Sequence, residues 1–171
     1  MQQIITKKKY KSTGALFGDE KAQVYGEELE KIAAENGGVL TPDSVVKAAE
    51  NEDSPLHDHF DWNDSSAAEK FRLAQARQMI NHIEITVTID GDEIAEQRAF
   101  MNVMQPSKNG KSGSNVYVTV EKAMTSKEYR KQILATAMRE AKYWEEKYKE
   151  YNELSEVFSA IDITAEDILD E

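Results

Sequence analysis

Cysteine is absent from the 171 residues of this chain. Its absence excludes disulfide bonds, thiolate metal ligands and thiol nucleophiles together. There is also no apolar run of about 18 residues, the length that a transmembrane helix requires. The first residues, MQQIITKKKYKSTG, lack the apolar core of a secretory signal. We therefore expect a cytoplasmic protein with no membrane partner.

Basic residues are few, with 21 Lys and Arg against 32 Asp and Glu, and the net charge is −11. This balance argues against a protein that coats itself with nucleic acid, because phosphate binding depends on Lys and Arg. The charges are also segregated along the chain. Residues 150–171 carry eight acids and no base, and residues 1–11 carry four lysines and no acid, namely Lys7, Lys8, Lys9 and Lys11. The acidic total favours a basic protein partner, whereas the clustered bases favour local DNA binding.

Three helices are predicted in the first half of the chain. The first covers about 24–36 and stops at the NGG sequence, and the second begins with Thr41 as N-cap and Pro42 at its first position. A short turn with glycine joins these two, as in a helix-turn-helix. The third opens at Ser66 with capping-box spacing. Its predicted apolar side is formed by Ala67, Phe71, Ala74, Met79 and Ile80.

Strands are predicted next, followed by one long helix. IEITVTID (83–90) alternates apolar and polar residues before Asp90-Gly91, AEQRAFMNVM (95–104) is suited to a return strand, and NVYVTVEK (115–122) is a third candidate. After a cap at 125–128, apolar residues recur every three or four positions over 126–159.

The expected fold is α+β, in four segments. These are a flexible basic arm (1–18), a helical helix-turn-helix-like unit (19–82), a small antiparallel β element (83–124), and a long C-terminal helix with an acidic tail (125–171).

Two of the three histidines lie one residue apart in SPLHDHFDW (54–62). His57, Asp58, His59 and Asp61 offer ligands of the class that divalent metals use. A metal needs further ligands, however, and the remaining histidine, His82, is predicted at the far end of the third helix. We favour a structural joint in which the apolar residues of this segment fill a gap between helices. No metal, cofactor or catalytic residue is predicted, and an enzyme is not expected.

The segment QPSKNGKS (105–112) is a near match to the phosphate-binding pattern GxxxxGK[ST]. Gln105 replaces the first glycine, and a strand rather than a helix follows, so no helix N-terminus is available to hold phosphate. A hairpin loop is favoured, whose Lys108 and Lys111 could touch a nucleic-acid backbone.

The third helix is the best candidate for reading DNA. Arginine and glutamine side chains can form paired hydrogen bonds with guanine and adenine edges. Together with the basic arm, the predicted DNA-binding residues are Lys7, Lys8, Lys9, Lys11, Lys70, Arg72, Arg77 and Gln78. A solvated helical face is the alternative interpretation of the helix residues.

Aromatic residues follow the C-terminal helical stripe. Such a stripe usually packs in a core or between subunits, so we predict a homo-oligomer. The predicted interface consists of Ile133, Trp144, Tyr148, Tyr151 and Phe158.

The middle of the chain resembles a group of small tailed-phage and prophage proteins, most of them uncharacterised. The shared pattern is SPLHxHFxW (here Ser54–Trp62), then paired alanines (Ala67, Ala68), then RxxQARxxI (Arg72–Ile80). The resemblance implies phage origin and the infected bacterial host cell as location, and it carries no activity.

The first hypothesis is therefore a non-enzymatic phage accessory protein that binds double-stranded DNA, in a packaging or regulatory role like that of a small terminase subunit. The alternative is an acidic protein-binding factor, either a host-directed inhibitor or a virion or assembly component, with a phage or host protein as its partner.

Overall fold

A computed structural model describes residues 5–14, 16–62, 66–89, 92–93, 96–106 and 113–169. The chain divides into two compact units, Met1–Val120 and Glu121–Glu171. The first contains β1 (Ile5–Ser12), α1 (Asp19–Glu35), β2 (Val39–Leu40), α2 (Pro42–Ala49), a 3-10 helix (His57–His59), α3 (Ser66–His82), β3 (Ile83–Ile89), β4 (Asp92–Glu93), β5 (Gln97–Arg98), β6 (Phe100–Gln105) and β7 (Ser114–Thr119). The second contains α4 (Val120–Thr125), α5 (Lys127–Tyr148), a 3-10 helix (Asn152–Leu154) and α6 (Ser155–Leu169). Helices and small antiparallel sheets are thus mixed, which confirms the α+β class.

The first sheet has the strand order β1-β3-β4, and β5 also pairs with β3. Apolar alternation along β3 places Ile83 and Ile85 in the core, where Tyr10 of β1 lies opposite Ile85. The helix α1 covers this side of the sheet with buried residues three and four positions apart, namely Ala22, Tyr25, Gly26, Leu29, Ile32 and Ala33. The prediction of a flexible arm over 1–18 is therefore wrong for residues 5–12, because they pair with β3.

The second sheet has the order β2-β7-β6. Gly37 and Gly38 have positive φ angles of 67° and 81°, which reverse the chain after α1 and lead it directly into β2. Leu40 of β2 lies opposite Tyr117 of β7. A single core joins both sheets with α1, α2 and α3, and it includes Leu29, Leu40, Met79, Ile80 and Phe100.

The predicted start of α2 is confirmed. Thr41 Oγ1 accepts a hydrogen bond from the Ser44 amide at 3.1 Å, and Ser44 Oγ accepts one from the Thr41 amide at 3.0 Å. This reciprocal cap and Pro42 begin α2 as predicted. The isolated three-helix unit is not confirmed, because β1 precedes α1 and β2 separates α1 from α2.

The single long C-terminal helix predicted over 126–159 is wrong, because α5 ends at Tyr148 and a 3-10 turn separates it from α6. The two helices pack against each other through Trp144 and Phe158, whose ring centroids are 5.8 Å apart. Lys142 of α5 also forms an ion pair with Asp162 of α6. The predicted aromatic stripe thus folds back on itself within one chain.

Candidate nucleic-acid interface

The helix α3 buries one side and exposes the other. Ala76, Met79 and Ile80 are at most 1% exposed and hold the helix in the core. The opposite side, which we call the exposed α3 face, consists of Lys70, Phe71, Ala74, Arg77, Gln78 and Asn81. Phe71 is 55% exposed, so the predicted apolar side was wrong for Phe71 and Ala74. Leu73, Ala76 and Ile80 carry the buried stripe in their place.

The only acid in α3 is Glu69, which is exposed and directly precedes Lys70. Glu69 lines a cleft of about 320 Å³ between α2 and α3, together with Asp43, Lys47, Glu50 and Arg72. Carboxylates of α2 and α3 thus line the cleft beside α3. The exposed α3 face itself carries two cations, two amides, one alanine and one phenylalanine.

Arg72 does not belong to the exposed α3 face. Its guanidinium lies 5.3 Å from the centroid of the Trp62 ring, and its Nη1 donates to the Asp61 carbonyl at 3.0 Å. A half-buried guanidinium above an aromatic ring gains a cation–π interaction and covers apolar surface. Arg72 therefore secures the segment before α3, and it is not positioned as a DNA contact.

His57 and His59 lie in the segment between α2 and α3, and their rings serve as packing elements. The His57 ring stacks on Trp62 with centroids 5.0 Å apart, and its Nδ1 is 2.8 Å from the Ala49 carbonyl oxygen. The His59 ring makes edge contacts with Phe17 and Tyr25. Burial lowers the pKa of His59, and the nearby charge of Lys21 acts in the same direction. These contacts are those of a structural joint.

Within the described part of the chain, no group of three or more His, Asp or Glu side chains is arranged to hold a metal ion. In the same residues, no helix is both long and apolar enough to cross a membrane. The segment 107–112, with Lys108 and Lys111, lies outside the described residues, so its predicted backbone contacts are unplaced.

The lysines of β1 differ in their surroundings. Lys8 forms an ion pair with Glu30 of α1, which also accepts a hydrogen bond from the Tyr10 hydroxyl. Lys11 forms an ion pair with Glu96, and this bond raises the pKa of Lys11. Lys9 is exposed, and the side chain of Lys7 is outside the described ones. Two of the four predicted arm cations are therefore already paired with acids of the same chain.

Four of the eight residues predicted to bind DNA are thus exposed in the structure, namely Lys9, Lys70, Arg77 and Gln78. Lys70, Arg77 and Gln78 share the exposed α3 face, and Lys9 is on β1. Sequence reasoning missed Phe71 as a member of this face. The spacing of Leu73, Ala76 and Ile80 would have identified the buried side and left Phe71 outside.

Comparisons with known proteins give no match. No family model matches the chain. No curated protein and no solved structure matches it either.

Proposed function

We propose that the chain is a non-enzymatic accessory protein of a phage or prophage that binds double-stranded DNA through the exposed α3 face. The observation that carries the proposal is the charge of this face. In a chain with a net charge of −11, the six residues of the exposed α3 face include Lys70 and Arg77 and no carboxylate. A DNA-binding helix on an acidic protein needs a local group of positive charges, because phosphates repel the acidic remainder of the surface.

The topology supports the same proposal. The short strand β2 lies between α1 and α2 and pairs with β7 of the β6–β7 hairpin, which follows α3 in the chain. Three helices with a short strand after the first also occur in winged helix-turn-helix proteins; here β3, β4 and β5 lie between α3 and the β6–β7 hairpin. In helix-turn-helix proteins one exposed helix lies in the major groove. We assign that role to α3, which residues 50–65 separate from α2.

The side chains of the exposed α3 face suit this role. Arginine makes paired hydrogen bonds with guanine, and glutamine or asparagine does so with adenine. Arg77, Gln78 and Asn81 lie within about one turn of each other, because a helix has about 3.6 residues per turn. Lys70 lies about two turns earlier, where an ammonium group contacts phosphate. The proposed location is the cytoplasm of an infected bacterial cell.

The test is fluorescence anisotropy of a labelled DNA duplex titrated with the protein at about 50 and 200 mM salt. We expect binding that weakens as salt rises. The double variant Lys70→Gln/Arg77→Gln should reduce the slope of log K against log salt by about 0.9 for each lost phosphate contact, and should weaken binding by at least about tenfold.

The matched control is Lys31→Gln/Lys127→Gln, which removes the same two charges from exposed positions on α1 and α5. Glutamine is a good helix former, so both variants should fold, as circular dichroism would show. Equal losses of affinity in both double variants would contradict the proposal, since a general charge effect would then explain the binding. So would an absence of binding by the wild-type protein at the lower salt.

A second candidate function, an acidic protein-binding factor, is favoured by the pairing of Lys8 with Glu30 and of Lys11 with Glu96. These pairs leave fewer cations for phosphate. The helix α6 also carries Glu156, Asp162, Glu166 and Asp167 without a base. No DNA binding, together with capture of a basic phage or host protein that Lys70→Gln/Arg77→Gln does not prevent, would establish this function.

A further inference from the structure

The helix α5 carries an apolar stripe that its packing on α6 covers only in part. Leu134, Ala137, Ala141, Trp144 and Tyr148 follow at alternating intervals of three and four, which is the heptad spacing of a coiled-coil contact. We call these five residues the α5 seam. Leu134 is 37% exposed, Trp144 is 39% exposed, and Ala137 is also exposed. None of the 22 residues of α5 is buried.

The α5–α6 hairpin leaves part of this apolar surface exposed, above all at Leu134, Ala137 and Trp144. Among the described side chains of α6, Ala165 is buried, at 5% exposure, and the others are exposed or half-buried. Isolated helices are marginal in water, and most of their stability in proteins comes from packing an apolar face. The α5 seam therefore needs a partner surface of similar apolar character.

The sizes of the seam residues identify that partner. The first three positions are Leu134, Ala137 and Ala141, and the last two are the aromatic residues Trp144 and Tyr148. In an antiparallel pair of α5 helices, Ala141 lies beside Trp144 of the second copy, and Ala137 lies beside Tyr148 of the second copy. Trp144 and Tyr148 then each meet an alanine, as close packing requires. A parallel pair would oppose Trp144 to Trp144 and leave gaps between the alanines.

Charges beside the seam select the same orientation. Glu140 and Lys147 are both exposed and occupy the same flanking heptad position, seven residues apart. In an antiparallel pair, this position on one helix faces the same position on the other. Glu140 of each copy therefore lies beside Lys147 of the other copy. A parallel pair would bring Glu140 toward Glu145 of the second copy, which is unfavourable because flanking charges of one sign repel.

We infer that two copies of this chain associate through an antiparallel contact between their α5 seams. The contact is independent of DNA binding, because it uses no residue of the exposed α3 face. It keeps Trp144 and Tyr148 of the predicted oligomer interface. Ile133, Tyr151 and Phe158 lie outside the seam, and Phe158 packs on Trp144 within one chain.

The first test is the mass in solution, measured by sedimentation equilibrium on the full chain at concentrations up to about 100 µM. The wild type should have twice the monomer mass of 19.4 kDa. Ala141→Arg places a charge in the centre of the seam and should give a monomer. Thr136→Arg introduces the same side chain at an exposed position of α5 outside the seam and should remain a dimer. A monomeric wild type, or the same mass for both variants, would overturn the inference.

The second test fixes the orientation, and the absence of native cysteine makes it direct. A mixture of Ala137→Cys and Tyr148→Cys chains should form a disulfide-linked heterodimer under mild oxidation, because neighbouring seam positions bring Cα atoms within the ~6 Å that a disulfide needs. Ala137→Cys alone should stay unlinked. Linkage of Ala137→Cys to itself, without the heterodimer, would show a parallel contact and would overturn the antiparallel one.

Discussion

Arg72 and Arg77 are the same residue type five positions apart on α3, and they have different surroundings. Five residues turn a helix by about 140°, so one guanidinium lies on the Trp62 side and the other is exposed. The guanidinium of Arg72 is already bound to the Asp61 carbonyl. Arg77 therefore bears the larger share of any contact with DNA.

His59 makes the stability of the joint depend on pH. Burial lowers its pKa in the folded protein, so the unfolded chain takes up a proton first, near the ordinary value of about 6.5. The neutral His59 ring therefore contributes to the free energy of unfolding in full above about pH 6.5. This contribution is lost as the pH falls toward the pKa of His59 in the folded protein. His59→Phe keeps an aromatic ring beside Phe17 and Tyr25 without the titration. We expect its free energy of unfolding to fall less than that of the wild type between about pH 7 and 5.

Urea unfolding followed by circular dichroism at several pH values measures this difference. His82→Gln is the control, because the His82 ring is only half-buried and bonds to the Gln78 carbonyl through Nδ1 at 2.7 Å. If the free energy of unfolding of His59→Phe depends on pH as strongly as that of the wild type, another group is responsible for the pH dependence.

At the scale of elements, short-range signals in the sequence predicted most of what the structure shows in the first unit. The NGG stop, the Thr41 cap and the alternation along β3 each depend on neighbouring residues, and each is confirmed. The strand β1 could not be predicted in this way, because three successive lysines hide its alternation and its partner β3 is more than 70 residues away. The break between α5 and α6 was missed because apolar spacing continues through it.

The site was predicted less completely than the fold. Lys70, Arg77 and Gln78 do share one exposed side of α3, as the helical pattern indicated. The pairing of Lys8 with Glu30 could not be foreseen, since it depends on α1 packing against β1. Tertiary packing decides which lysines form ion pairs with acids of the same chain, and the sequence alone does not reveal this packing.

Contact between α1 and β1 depends on a glycine. A Cβ added at Gly26 would overlap the Tyr10 ring and lie 2.8 Å from the Tyr10 Cβ. Gly26→Ala should improve helix propensity by about 1 kcal/mol, but the overlap should cost more, with a net loss of about 1–3 kcal/mol in the free energy of unfolding. Urea denaturation measures this loss.

Gly18→Ala is the control for this substitution. No atom lies within 4 Å of a Cβ at Gly18, so its effect should be limited to the loss of a favoured N-cap residue of α1, at most about 1 kcal/mol. A Gly26→Ala protein as stable as Gly18→Ala would mean that Tyr10 moves aside without cost.

At the scale of the whole molecule, the two proposals have a joint consequence. A dimer formed through α5 carries two copies of the exposed α3 face. Two linked binding sites on one duplex increase the apparent affinity, often by about 100-fold or more, when both can engage. We therefore expect Ala141→Arg to bind DNA on the order of 100-fold more weakly than Thr136→Arg, and two-fold symmetric binding sites to be preferred.

Anisotropy titrations on an inverted-repeat duplex and on a single half-site measure this difference. Ala141→Arg should lose affinity for the inverted repeat and retain it for the half-site. Equal affinity of both variants for the inverted repeat would show that pairing through α5 does not contribute to DNA binding.

The lysine-rich strand β1 has a separate consequence for how the protein behaves in a crowded cell. In the described part of the first sheet, β1 pairs with β3 on one side, and on its other side the Tyr10 amide donates to Gln23 Oε1 at 2.9 Å. An open strand edge is a template on which other chains can add, and charged side chains along it prevent this aggregation. Lys8, Lys9 and Lys11, which first suggested DNA binding, are charges of this kind, and we expect them to disfavour association of this edge with another sheet.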